Sequence, residues 1–349
     1  YLPRFCDPVV TWKPLPMSDD EIAGTTVDAA DARLVIARAY GFRDWDALAA
    51  IAHAMSEPGS PVREFELAVE AIIDGDVGTL RTMLSDNPAL VHARSTRITD
   101  QDPAVHAATL LHYLAANGVE GHRQRSPANA VEIARLLLNA GADVNALAGM
   151  YGGRYNMLSM LVSSTPPATA GVQVALVNLL LDHDAIAEGI GSPQWQSSIR
   201  TALTFGFRDT ASVFASRGGD VDLACAAGLG DVARCRELLA VADDATRHDA
   251  LALATINGQL HTTALLLQAG VDPNRFNPDG MHGHQTPLHG AALAGDLPLV
   301  QLLVRHGARA DVADPMWNGT PLDWARHGGR DDVIAWLVQH TASDSDRRS

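Results

Sequence analysis

Two histidines separated by one residue, His282 and His284, lie in a glycine-rich stretch and could supply imidazole ligands to a metal ion. Asn277 and Asp279 lie just before them and add an amide and a carboxylate. A zinc site normally has three or four protein ligands, and this stretch offers only two imidazoles. We therefore predict no metal centre, which leaves a solvated loop tip or a surface that binds a partner.

A second stretch, Val119–Ala130, brings a carboxylate, an imidazole and a guanidinium close together in Glu120, His122 and Arg123. These groups suit acid–base catalysis and anion binding. The same composition is typical of an exposed polar loop, so both interpretations stay open. The candidate catalytic residues are Glu120, His122, Arg123, His282 and His284.

Aromatic and arginine side chains mark two further segments, Ala146–Asn156 and Pro315–Gly319. Tyrosine, tryptophan and arginine dominate the energetics of protein interfaces, and an exposed tryptophan is costly to leave in water. These residue types predict a binding surface. The candidate binding residues are Tyr151, Arg154, Tyr155, Asn277, Asp279, His282, His284 and Trp317.

Several familiar catalytic and cofactor motifs are absent from the sequence. It contains no H-E-x-x-H, G-x-S-x-G, C-x-x-C or G-x-G-x-x-G. Lys13 is the only lysine, which argues against Schiff-base chemistry and a P-loop. We therefore expect no cofactor.

The charge and composition exclude other classes of protein. Lys and Arg number 26 against 41 Asp and Glu, and the net charge of −15 argues against binding nucleic acid or an anionic membrane. No apolar run approaches the roughly 18 residues that would span a bilayer. Three cysteines are too few for a disulfide scaffold, which favours a cytoplasmic protein. The chain begins at Tyr1, which leaves open whether a targeting segment precedes it.

Internal repeats dominate the rest of the sequence. The segments Thr286–Gly295 (TPLHGAALAG) and Thr320–Gly329 (TPLDWARHGG) are 34 residues apart, and each is followed by an apolar pattern of helical period. A second signature, L-L-L-x-A-G-x-D-x-N, occurs at Leu136–Asn145 and Leu265–Asn274. Threonine and proline favour a helix start, whereas the glycines favour helix ends.

These motifs resemble the ankyrin repeat, and the resemblance covers about eight units from Phe65 to His340, three of them degenerate. It implies an all-α solenoid of stacked helix pairs, in which no unit buries its apolar face alone. His289 and His112 occupy the T-P-L-H position, where the resemblance implies hydrogen bonds between neighbouring units.

The N-terminal part differs from the repeats. The pattern A-R-x-Y-G-F-x-x-W-x-x-L at Ala37–Leu48 resembles a leader segment of some bacterial ankyrin proteins, with helices expected over Val27–Tyr40 and Asp46–Met55. We predict an extended segment and helical cap over residues 1–60, the repeat solenoid over 61–340 and a frayed tail over 341–349.

The resemblance implies a binding module that grips a protein or small-molecule partner through its loop tips and concave face, with neither nucleic acid nor membrane as partner. An enzyme or small-molecule receptor built on the same solenoid is the alternative, because the polar residues concentrate in inserted loops. Asn274–Thr286 is about four residues longer than the usual turn segment. Under either hypothesis we expect the functional surface to follow the tips from Tyr151 to Trp317.

Overall fold

The computed structural model describes residues 17–116, 120–190 and 197–345, together with Leu2, Cys6 and Leu15. Most of the predicted extended segment before residue 17 therefore lies outside the described residues, as do residues 346–349 of the predicted tail. Contacts divide the chain into two compact units, Tyr1–Gln196 and Ser197–Ser349. Each unit is described by itself.

The first unit is built of short helices and one small sheet. Its α-helices are α1 (Asp19–Ala23), α2 (Ala29–Ala39), α3 (Trp45–Ser56), α4 (Pro61–Asp74), α5 (Val77–Asp86), α6 (Ala130–Asn139), α7 (Met157–Leu161), α8 (Thr165–Thr169) and α9 (Gln173–Asp182). Its 3₁₀ helices are Pro88–His92, Leu110–Ala115 and Gly121–Arg123. Strands β1 (Ala148–Met150) and β2 (Gly153–Tyr155) pair antiparallel, so the tip predicted over residues 146–156 is a β-hairpin.

The second unit consists of helix pairs. Its helices are α10 (Ser198–Thr204), α11 (Arg208–Ser216), α12 (Leu223–Leu229), α13 (Val232–Leu239), α14 (Asp244–Ile256), α15 (Leu260–Gln268), α16 (Pro287–Ala294), α17 (Leu297–Arg305), α18 (Pro321–His327) and α19 (Asp331–Ser345). The first helices pack in the order α12, α14, α16, α18, and the second helices in the order α13, α15, α17, α19. This arrangement confirms the predicted stacking of helix pairs.

The threonine–proline helix starts behave as the sequence predicts. Thr286 and Thr320 are the N-caps of α16 and α18, each followed by proline at the first helical position. The Thr320 hydroxyl donates to Asp323 Oδ2 at 2.7 Å, and the Thr286 hydroxyl lies 2.8 Å from His289 Nδ1. These local bonds satisfy groups that would otherwise be unpaired at the helix ends.

Glycines at the ends of first helices let the next helix pair approach closely. Gly230 and Gly295 both have φ near +80°, in the left-handed region that favours glycine. A Cβ on Gly230 would lie 2.2 Å from the Gln259 side chain, and one on Gly295 would lie 2.9 Å from that of Arg330. The positive φ favours glycine at both positions, and a larger residue would also displace the neighbouring side chain.

The two helices predicted in the N-terminal part are present as α2 and α3. Ala37, Phe42 and Ala47 form a buried apolar cluster there, and Ile98 packs against it. The Arg43 backbone N–H donates to the Ile98 carbonyl at 2.9 Å. The function of these helices as a cap of the first repeat stays a prediction.

The last helix extends beyond the predicted end of the repeats. Helix α19 continues to Ser345, so residues 341–345 of the predicted tail are helical. Within the described part of the chain, no helix combines the length and the apolar character that crossing a membrane requires.

Candidate functional site

The second unit contains a groove with a volume of about 910 Å³ and mostly apolar walls. Small residues of α16, including Gly290, Ala291 and Ala294, form part of its lining. The loop before α16 and the loop before α18 contribute histidine and tryptophan side chains. The small residues of α16 leave the space of the groove, and the side chains of the two long loops form its sides.

Four rings follow one another across this groove: Phe205, His282, His284 and Trp317, which together we name the ring row. The ring centroids of Phe205 and His282 are 6.1 Å apart, those of the two histidines 6.2 Å, and those of His284 and Trp317 5.4 Å, all with edge-on contacts. Such edge-on pairs are favourable geometries for aromatic rings. The row ends on exposed side chains, because Phe205 is 38% and Trp317 is 53% exposed.

The lengthened loop before α16 folds onto the groove. His282 adopts a φ of +61°, and its Nε2 lies 3.0 Å from the carbonyl oxygen of Thr204 at the end of α10. The loop thus reaches the C-terminal end of another first helix. Both histidines are half-buried and in ring contact, so neither is a fully solvated side chain of a loop tip.

Asp314 fixes the loop that carries Trp317. Its carboxylate accepts hydrogen bonds from the backbone N–H groups of Met316, Trp317 and Gly319 and from the Trp324 indole, at 2.7–3.0 Å. Burial by itself would raise the pKa of Asp314, but these donors outweigh it and hold the pKa below its usual range. The charged carboxylate therefore holds the loop in one conformation.

The histidine pair lacks further metal ligands. Asn277 is buried and Asp279 is exposed, so these two residues do not face one site. Among the residues that the structure describes, no three His, Cys, Asp or Glu side chains converge as a metal site. Burial, followed by the neighbouring His282, lowers the pKa of His284 and favours its neutral form.

The T-P-L-H histidines connect neighbouring repeats. The Nε2 of His289 lies 3.1 Å from the Gly319 carbonyl oxygen, and that of His112 lies 3.2 Å from the Tyr155 carbonyl oxygen. Each ring also contacts the N-cap threonine of its own helix. The predicted hydrogen bonds between units are therefore confirmed.

The tyrosine–arginine segment of the first unit separates into exposed and buried residues. Tyr151 is 54% exposed at the hairpin turn, with a φ of +51°, and Arg154 is also exposed. Tyr155 is buried, and its ring lies 6.4 Å from that of Tyr151. The prediction that Tyr155 contacts a partner is not supported by this placement, because its side chain packs inward.

Glu120 and Arg123 lie in a buried network of charges in the first unit. Arg123 donates to Glu120 Oε2 at 2.8 Å and to Glu66 Oε2 at 2.7 Å, and Arg97 pairs with Glu66 at 2.8 Å. Tyr113 donates its hydroxyl proton to Glu120 Oε1 at 2.8 Å. The expectation of an exposed polar loop is therefore wrong for Glu120 and Arg123, because ion pairs hold both side chains inside.

His106 completes the network with a defined proton position. The Ala108 backbone N–H donates to His106 Nδ1 at 3.1 Å, so the neutral ring carries its proton on Nε2 and donates it to Glu120 Oε1 at 3.1 Å. Burial alone would raise the pKa of Glu120, but this hydrogen bond and the two guanidinium groups hold it well below the usual range. Glu120 is therefore ionised and has no exposed surface.

His122 and Arg125, from the same inserted stretch, lie outside the network. The His122 ring is in edge-on contact with Tyr40, with centroids 5.4 Å apart. Burial, followed by the charge of Arg97, lowers the pKa of His122. Arg125 forms an exposed ion pair with Asp74 at 3.4 Å. A catalytic role for this stretch stays a prediction, and structural contacts account for the observed positions of Glu120 and Arg123.

Sequence reasoning missed the partners on which both regions depend. Arg97, Glu66 and Phe205 stand outside every motif, and only folding brings them to Glu120, Arg123 and His282 respectively. The role of Asp314 could have been predicted from the sequence, because an aspartate at the start of a tight turn often accepts hydrogen bonds from the backbone N–H groups of the turn.

Comparisons with known proteins identify repeats in each of the two units. A family model described as ankyrin repeats in three copies matches residues 276–348, and one described as a single ankyrin repeat matches residues 107–148. Both matches include a T-P-L-H-type helix start or its immediate surroundings.

Two curated relatives are similar over much of their own length. Cyclin-dependent kinase 4 inhibitor B of Bos taurus is 37% identical over 131 residues, which is 36% of this chain and 96% of the relative. The Homo sapiens protein of that name is 35% identical over 124 residues, 34% of this chain and 87% of the relative. ARF GTPase-activating protein GIT1 of Homo sapiens is 40% identical over 91 residues, but only 26% of this chain and 11% of that protein are covered.

Among solved structures, the human ASB11 ankyrin repeat domain aligns with 77% of this chain and 96% of its own. Its sequence identity is 19% and the TM-score is 0.39.

Proposed function

Because the chain belongs to the ankyrin-repeat family, we propose that it is a protein-binding module that holds its partner in the groove of the second unit. The observation that carries this proposal is the ring row, which ends on Trp317 with 53% of its surface exposed. The relatives named as inhibitors of a cyclin-dependent kinase support a protein as the partner.

The groove has the physical properties of a binding surface. Aromatic anchors in partly desolvated positions contribute most to the affinity of protein interfaces. Asp314 holds the loop of Trp317 in place before a partner arrives, which lowers the entropy lost on binding. The partner would cover the exposed faces of Phe205 and Trp317 and remove their apolar surface from water.

Further features belong to the same proposal. A cytoplasmic location is supported by cysteines that are all free thiols, Cys6, Cys225 and Cys235. A net charge of −15 disfavours nucleic acid and anionic membranes as partners. Bacterial origin and a leader function for α2 and α3 rest on the sequence pattern at Ala37–Leu48.

Site-specific crosslinking tests the proposal. A photoreactive phenylalanine analogue replaces Trp317, and in a matched variant it replaces Val241, which is 86% exposed but does not line the groove. We expect discrete protein adducts at position 317 in cells of the source organism and none at position 241. The same adducts at both positions, or none at either, would contradict binding in the groove.

Purification of the crosslinked protein allows a direct measurement of affinity. We expect Trp317→Ala to weaken binding by about tenfold or more, since removing a central anchor commonly costs over 1.4 kcal/mol. Phe276→Ala is the matched control, because Phe276 is 37% exposed in the same unit and does not line the groove. Equal losses for the two variants would place the interface elsewhere.

A further inference from the structure

We infer that the segment bound in the groove is an extended, proline-containing stretch of the protein partner. This inference rests on the proposed function and specifies the chemistry of what the ring row holds. It follows from the hydrogen bonds at the ring row: the His284 ring and the Gln285 amide have donors to offer, while the carboxylates of Asp314 and Asp323 already accept hydrogen bonds from their own loops.

The carboxylates beside the ring row have little capacity left for a ligand. Each oxygen of Asp314 already accepts two hydrogen bonds, from four donors of its own loop and of Trp324. Asp323 accepts from the Thr320 backbone and hydroxyl through Oδ2 and from Arg326 through Oδ1. Peptide N–H groups that face Asp314 and Asp323 would therefore find few acceptors there, and an unpaired N–H group costs free energy.

Donors beside the ring row are available. In the described part of the chain, neither the ring nitrogens of His284 nor the side-chain amide of Gln285 form a hydrogen bond with another residue. The Gln285 amide lies over Gly290, where a Cβ would come within 3.1 Å of its Nε2. A neutral imidazole and a primary amide together offer N–H groups to a ligand that brings carbonyl oxygens.

Proline supplies this combination of groups. Its backbone nitrogen has no proton, and its carbonyl in a polyproline II segment has no internal hydrogen bond. Two residues of such a segment advance by about 6.2 Å, close to the 5.4–6.2 Å between neighbouring centroids of the ring row. Proline-rich segments bind aromatic-lined grooves in other domains by this mode.

The charge of the groove agrees with a neutral segment. Its lining includes the carboxylates of Asp296 and Asp323 and the guanidinium of Arg330, which already donates to the Leu293 carbonyl at 2.8 Å. Burial lowers the pKa of His284, so this ring is neutral near pH 7. An α-helix would satisfy its own backbone and leave Gln285 and His284 facing apolar side chains, which disfavours a helical occupant.

Selection from a displayed library of random 12-residue peptides tests the inference. The intact chain is the target, and a Phe205→Ala/Trp317→Ala variant removes peptides that bind outside the groove. We expect peptides with two or more prolines within four residues to be enriched at least about tenfold over the input library. Enrichment of amphipathic helical or basic peptides would overturn the inference but support protein binding in the groove.

A second measurement tests whether the missing backbone N–H of proline is what favours its binding. In a selected peptide, each proline is replaced by alanine or by N-methylalanine, and affinity for the intact chain is measured by titration calorimetry. We expect alanine to weaken binding about tenfold and N-methylalanine to stay within about threefold, because only alanine adds an N–H group. Equal affinities for the two replacements, or peptides that bind equally to the Trp317→Ala and Phe276→Ala variants, would overturn the inference.

Failure of this inference is distinguishable from failure of the proposed function. If crosslinking at position 317 captures a protein and no proline-containing peptide is selected, the groove binds a partner of another shape. If neither experiment gives a result specific to the groove, both are wrong. Circular dichroism of each variant establishes that it is folded.

Discussion

The charge network around Glu120 and the ring row around His284 both include side chains of lengthened loops, yet they differ in how far their interactions are completed. In the network, carboxylates and guanidinium groups pair with one another and exclude solvent. In the ring row, side chains touch edge-on and leave Phe205 and Trp317 exposed. The difference shows that polar residue types in an inserted loop do not indicate function by themselves; incomplete interactions do.

Loss of Glu120 should have the largest effect on stability. Glu120→Ala leaves Arg97, Arg123 and His106 buried without their shared acceptor, and we expect the free energy of unfolding to fall by about 3–5 kcal/mol. Urea unfolding followed by circular dichroism measures it. Glu57→Ala, which removes an exposed partner of His53, should cost less than about 1 kcal/mol. A similar small cost for Glu120→Ala would show that the network does not hold the first unit together.

Acid should weaken the first unit through His112. Burial lowers the pKa of this histidine to about 4, although its hydrogen bond to the Tyr155 carbonyl acts in the opposite direction. The unfolded chain, with a histidine pKa near 6.5, binds more protons in this range, so stability falls as the pH decreases from about 6.5 to about 4, by on the order of 3 kcal/mol.

A variant that lacks only His112 isolates this effect. In His112→Gln, we expect the dependence of the free energy of unfolding on pH to become shallower between pH 6.5 and 4. His53→Gln, at an exposed histidine, is the control. If both variants keep the slope of the parent protein, His112 does not cause it.

Trp317→Ala should have the smallest effect on stability. The side chain is 53% exposed, and the loop is held mainly by Asp314, so the free energy of unfolding should change by less than about 1 kcal/mol while partner binding weakens by about tenfold or more. Tyr151→Ala, an equally exposed aromatic of the first unit, is the comparison for both measurements. A stability loss of about 3 kcal/mol or more in Trp317→Ala would make the ring row structural, like the network.

Local signals explain what the sequence predicted well. The N-cap bonds of Thr286 and Thr320 join atoms three residues apart, and the glycine turns depend on one residue's backbone freedom. The positions of α2, α16 and α18 and the hydrogen bonds of His112 and His289 could therefore be anticipated. The hairpin at Ala148–Tyr155 was not anticipated, because Gly152 and Gly153 indicate a turn without indicating that the flanking residues pair.

The sequence by itself determined the repeating helix pairs, because each cap, turn and apolar stripe is set by residues close together in the chain. Only the tertiary structure decided that Glu120 and Arg123 are buried, that Tyr155 packs inward and that His282 reaches Thr204. Some of the decisive partners are far away in the chain: Glu66 is 57 residues from Arg123, and Thr204 is 78 residues from His282. Burial and charge pairing are properties of the folded environment, and a loop's composition is the same whether its charges face water or one another.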